Sequence, residues 1–238
     1  MKHFSKLPVL TALCAALGLV CLYVRQWLLR TGTDHKGLLT VSHPGILLSI
    51  LLLAAALCVL CLSLRQKQTY RFRNCASSVV SMVFFAVGYG SAAWKLLENR
   101  SQTLSAVTGI LGAVCVVCAL CIAFALLRKL RLHPFVYCPF AIFLMLFLVC
   151  RYQQWSSEPE LQRYLFQLLC VITLMVSAYH RAALEADRKG ARSYLLVSRA
   201  AVFFCIAAIP GSTFGILYGC CAVAIILDGF TVSKKQGA

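Results

Sequence analysis

Cysteine and histidine are the side chains best equipped for metal or redox chemistry in this chain, which has 14 Cys and 5 His among 238 residues. Cys58-Val59-Leu60-Cys61 is a CxxC, and Cys115, Cys118 and Cys121 repeat the same spacing. On a helix that spacing puts the side chains on one face, where thiolates could grip a soft metal. Both groups have apolar flanks, however, and apolar surroundings keep a thiol protonated. Cys14, Cys21, Cys170, Cys205, Cys220 and Cys221 also fall inside apolar runs, while Cys75, Cys138 and Cys150 lie at or near the ends of such runs. Cysteine in that setting is a small hydrophobe, so the expectation is packing rather than a disulfide framework.

Asp34, His35 and His43 offer three ligands of the type zinc takes. They share a stretch with Gly32 and Gly37 that has no second ligand cluster, and a solvated polar loop is expected there. No Gly-x-Ser-x-Gly elbow is present for a serine nucleophile. His133 and His180 stand at the ends of apolar runs and read as interfacial residues. Asn99-Arg100-Ser101 fits the glycosylation pattern, in a loop too short for modification to be expected. The expectation is no catalytic residue, no cofactor and no metal, hence no enzyme.

The charges point elsewhere. Lys and Arg number 23 and Asp and Glu only 7, for a net charge of +16, yet just 13% of residues are charged and 61% are apolar. A soluble domain would be about a quarter charged. The acids are Asp34, Glu98, Glu158, Glu160, Glu185, Asp187 and Asp228, and none is mid-way along an apolar run. Ion-coupled pumps and intramembrane proteases place ionisable groups there, so a charge-free interior argues against both. Arg65, Lys67, Arg71 and Arg73 are interleaved with Tyr70 and Phe72. In a soluble protein this could suggest nucleic acid; between two spans the four cations are candidate contacts for anionic lipid at the cytoplasmic face. Arg181 and Glu185 are four apart, which suggests a helix continuing toward a stop at Gly190.

The elements that carry these residues follow from six uncharged runs: Leu7 to Val24, Pro44 to Leu64, Cys75 to Trp94, Leu104 to Leu127, Pro134 to Cys150 and Tyr164 to Tyr179. Each approaches the ~20 residues that cross a bilayer as a helix, and lipid leaves a backbone no other partner than itself. The first run, preceded by Lys2 and Lys6, has the outline of a signal peptide but is longer than a signal core, and a retained span is expected. Ala200 to Leu227 is uncharged throughout and too long for one upright span. Pro210-Gly211-Ser212-Thr213 is a turn signal within it. Two short helices are expected, Tyr194 to Ile209 and Ser212 to Leu227, with Arg199 snorkelling toward the interface. The alternative is one long kinked helix and seven spans.

The basic residues orient the bundle. With the N-terminus in the cytoplasm, sixteen Lys and Arg fall in inner segments and seven outside, among them Arg25 and Arg30 in the first outer loop. Trp27, Trp94 and Trp155, all three tryptophans, then fall at outer ends of odd-numbered spans, where an aromatic belt is expected. Val20 to Trp27 and Val149 to Trp155 match with one gap, which raises an internal duplication with halves 1–131 and 132–238. Gly88, Gly90, Ala92 and Ala93, and then Gly109, Gly112 and Ala113, mark helix faces for close packing.

The expected fold is all-α: one polytopic transmembrane helical bundle of eight spans over residues 1–238, both termini cytoplasmic, in the plasma (cytoplasmic) membrane. The expected partners are the bilayer, with anionic lipid at its inner face, and a protein within the membrane, but no nucleic acid. Two functional classes remain. One is a non-catalytic subunit or accessory component of a membrane assembly. The other is a small permease or carrier for an uncharged solute or lipid.

Overall fold

A computed structural model describes residues 6–32, 44–64, 70–72, 76–98, 103–128, 130, 133–155, 161–186 and 191–234. Eight α-helices account for nearly all of them: α1 (Lys6–Thr31), α2 (Pro44–Leu64), α3 (Ala76–Glu98), α4 (Thr103–Leu127), α5 (Cys138–Trp155), α6 (Leu161–Glu185), α7 (Ala191–Ala208) and α8 (Gly215–Thr231). A 3₁₀ turn over Pro134–Tyr137 leads into α5. Six helices, α1 to α6, are long and apolar enough to cross a membrane. The chain is an integral membrane protein of the all-α class.

The helices overrun the uncharged stretches. α1 continues seven residues past Val24 and takes in Arg25 and Arg30, so neither belongs to a loop. α6 continues past Tyr179 to Glu185, as the spacing of Arg181 and Glu185 suggested. Long basic side chains allow this, because their stems lie along apolar surface while the helix finishes its last turns.

α7 and α8 are separate, as expected, with 18 and 17 residues, or ~27 and ~26 Å of helix. The turn between them is built from its own residues. The Ser212 N–H donates to the Ile209 carbonyl at 3.2 Å, and the Phe214 N–H donates to Ser212 Oγ at 3.1 Å. Gly211 sits at φ +70°, a left-handed conformation that costs a residue with a Cβ.

The packing is a ring. α3 touches α4, α4 touches α5, and contact passes through α6 and α7 to α8, which packs back on α3. α1 lies outside the ring against α7, and α2 lies against α1 and α7. With no hydrophobic drive between helices in lipid, close approach has to hold the seams. At the α3–α4 seam, a Cβ on Gly112 would stand 2.9 Å from Ala93 Cβ, and one on Gly109 would stand 2.8 Å from Leu97 Cγ. Ala113, grouped with these glycines by spacing, instead faces outward. Gly88 opens the α3–α8 seam to Cys220 and Leu217, and Gly18 opens the α1–α7 seam to Ile206 and Phe203.

Two three-residue strands, β1 (Tyr70–Phe72) and β2 (Val232–Lys234), form an antiparallel ribbon with Arg71 opposite Ser233. The ribbon ties the α2–α3 connection to the tail after α8, so both lie on one face of the bundle. An even number of crossings must therefore separate them, as eight spans provide and seven do not.

Candidate functional site

Among the described residues, four charged side chains are buried within the bundle, contrary to the expected charge-free interior: Arg25 at 4% exposure, Arg181 at 6%, Arg199 at 1% and Asp228 at 1%. Arg199 does not snorkel; it is buried inside the bundle at 1% exposure. It can do so because α1 and α2 cover that side of α7. Arg25 turns inward at the outer end, where it donates to the Ala207 carbonyl and lies 4.5 Å from the Phe166 ring centre. Arg181 forms a salt bridge with Asp228, so its partner comes from α8.

The Arg181–Asp228 pair stands at the inner end of the ring beside a partly open cleft of about 40 Å³. Five of the six ring helices, or the turn leading into one of them, wall this cleft. α3 brings Met82, Phe85 and Tyr89; the 3₁₀ turn and α5 bring Tyr137 and Phe140; α6 brings Leu174, Ser177, Ala178 and Arg181; α7 brings Tyr194 and α8 Ile225. The wall is thus mostly aromatic and aliphatic, with the Ser177 hydroxyl, three tyrosines and the Arg181 guanidinium as its polar groups. The guanidinium also lies 5.9 Å from the Tyr137 ring centre.

The cleft exists because α5 begins late. Tyr89 is thirteen residues into α3 and Phe140 two residues into α5, yet their rings meet at 5.2 Å. At ~1.5 Å per residue, α5 starts ~16 Å deeper than α3, and the 3₁₀ turn folds under that gap.

Above the cleft the ring is filled. Tyr89 meets Phe143 at 5.1 Å, Phe143 meets Phe147 at 5.7 Å and Phe147 meets Phe214 at 5.0 Å. This aromatic column runs from the cleft to the α7–α8 turn. There, Arg151 lies 5.1 Å and Lys95 5.9 Å from the Phe214 ring centre, and Lys95 also donates to the Thr213 carbonyl. The first and last of these ring pairs are edge-to-face and the middle one is stacked, and edge-to-face pairs are favourable beyond the area they bury. Buried cysteines flank the column: Cys170 and Cys205 lie 3.4 Å apart, with Cys115 and Cys221 also buried.

The residues singled out from sequence distribute differently. Of the four candidate lipid contacts, Arg71 lies in β1, while Arg65, Lys67 and Arg73 lie outside the described residues. Asp34, His35 and His43 lie outside them too, as do Asn99, Arg100, Ser101 and Gly190. Cys58 and Cys61 face outward from α2, and Cys115, Cys118 and Cys121 pass from buried to exposed around α4. Among the described residues, no three His, Cys, Asp or Glu are gathered as a metal site would need. Trp27 and Trp94 are exposed at the outer ends of α1 and α3.

Arg181 and Asp228 escaped the reading from sequence because each ends its own apolar run, where a lone charge looks interfacial. The available signal was their opposite sign on two helices that finish on the same face.

The chain matches no known protein family, no curated protein and no solved structure.

Proposed function

We propose that this membrane protein is a small non-catalytic carrier for a solute or lipid without net charge, loaded from the cytoplasmic side of the plasma membrane. The observation that carries the reading is the inner cleft, to which five of the six ring helices or their leading turn contribute side chains. Its lining, mostly apolar with a few convergent polar groups from several helices, has the chemistry of a small-molecule site in a bundle, and at about 40 Å³ it engages one end of a ligand. The aromatic column closes the ring beyond it, as a carrier requires when it is open on one side only. The basic α2–α3 connection would hold anionic lipid at the same face through Arg65, Lys67, Arg71 and Arg73.

A second reading, as a subunit of a membrane assembly, draws on α2, which among the described residues packs mainly on α1 and α7 and leaves most of its surface uncovered. Native mass spectrometry of the full chain, extracted gently from its own membrane, decides between them. The carrier reading expects a monomer or homodimer with a retained small molecule that is lost in Tyr194→Ala. A second polypeptide in fixed stoichiometry, with no retained molecule, overturns it in favour of the subunit.

A further inference from the structure

We infer that the inner cleft takes a zwitterion, a group with an anionic end and an ammonium end. This rests on the carrier reading and names its ligand. The argument begins with the charge that the cleft offers. Arg181 faces the cleft and Asp228 stands behind it in a salt bridge, so the pair is neutral as a whole. A ligand with net negative charge would gain Arg181 but meet Asp228 next to it, in surroundings where an uncompensated charge is expensive. A ligand with no polar end would leave a buried guanidinium beside an apolar group. A zwitterion avoids both costs because it brings its own counter-charge.

The wall has a place for each end. The anionic end fits Arg181, whose guanidinium forms charge-assisted hydrogen bonds to carboxylate or phosphate oxygens. The ammonium end fits the aromatic side, where Phe85, Tyr89, Tyr137, Phe140 and Tyr194 converge. Ring faces attract cations, and clusters of them select quaternary ammonium. Tyr137 already has a cation near its ring, the Arg181 guanidinium at 5.9 Å. The cleft of about 40 Å³ takes only the part of a ligand that meets Arg181 and the rings, and because the cleft is partly open the remainder extends out of it. The same chemistry is carried by a zwitterionic phospholipid head group and by a free betaine or amino acid.

The experiment uses the full chain in a nonionic maltoside detergent, with binding read by native mass spectrometry and by thermal shift. The probes are dihexanoyl phosphatidylcholine and glycine betaine as whole zwitterions, and choline and inorganic phosphate as their separate ends. A whole zwitterion is expected to bind once per chain, about tenfold or more tighter than either end alone. Binding by the lipid only assigns the site to a membrane head group; binding by betaine as well assigns it to the free solute class. The double variant Arg181→Gln, Asp228→Asn stays neutral and is expected to lose about tenfold. Equal binding of choline or phosphate alone, or no binding of either zwitterion, overturns the inference, and this comparison needs only the wild-type chain. A native small molecule still retained in that case leaves the carrier reading standing without the zwitterion.

Discussion

Arg181 and Asp228 show what a buried charge demands of its neighbours. Removing either one leaves the other desolvated without its partner, whereas removing both leaves two neutral groups. Breaking a buried pair in this way costs about 3 kcal/mol or more. Asp228→Asn alone and Arg181→Gln alone are therefore each expected to lower stability by about 3 kcal/mol, and the double variant to lose less than their sum. Thermal unfolding of the four proteins in one detergent reads this directly; strict additivity would mean that the two side chains are not coupled. The sequence carried both residues in plain view but not their meeting, because a pair between α6 and α8 depends on how the ring closes. The same holds for Arg25 and Arg199, whose burial depends on which helices cover them. By contrast, the apolar character of the cysteine neighbourhoods was legible, since a run of apolar flanks sets the surroundings of a side chain before any fold is known.

At the scale of single helices the sequence was far more informative. The bounds of α2 are those of its uncharged run, Pro44 to Leu64, because charge and proline punctuate a span at both ends. Where prediction and helix differ, as beyond Val24 and Tyr179, the helix simply runs on under basic side chains. Small residues located the α3–α4 seam but not its details: Gly109 and Gly112 meet α3, whereas Ala113 does not. Two substitutions separate seam from surface. A methyl group on Gly112 would stand 2.9 Å from Ala93 Cβ and 3.0 Å from Phe143, with Ala93 Cα behind, so the helices must part. Gly112→Ala is expected to cost about 1–3 kcal/mol. Gly90 has only Val116 at 3.5 Å, an ordinary contact, and Gly90→Ala is expected to be neutral or to stabilise by up to about 1 kcal/mol through helix propensity. Chemical denaturation of both variants in mixed micelles tests the contrast, and the reverse ranking would place the seam elsewhere. At the α7–α8 turn, Gly211→Ala forces a Cβ into φ +70° and is expected to cost about 1 kcal/mol, visible as a lowered melting temperature.

For the whole molecule the decisive feature is parity. The basic residues place the α2–α3 connection and the C-terminal tail on the cytoplasmic face, and the β1–β2 ribbon joins those same two segments by backbone pairing. The two arguments are independent, since one counts charge and the other counts hydrogen-bonded neighbours. Six helices lie between the ribbon strands, and an even number returns the chain to the face it left. α8 is the shortest of them at ~26 Å, with α5 and α7 at ~27 Å, all just below a hydrocarbon thickness of about 30 Å. The α7–α8 turn must then stand at the outer face, beside Lys95 and Arg151. Topology reporters inserted after Thr69, between Gly211 and Ser212, and after Ala238 test this in intact cells. The first and third are expected to report the cytoplasm and the second the exterior. A single kinked helix in place of α7 and α8 would give a cytoplasmic report after Thr69 and an external one after Ala238, and it would part the ribbon strands by the full thickness of the membrane. It would also undo the ring, because α8 could no longer run antiparallel to α3, and with that change Asp228 could not reach Arg181.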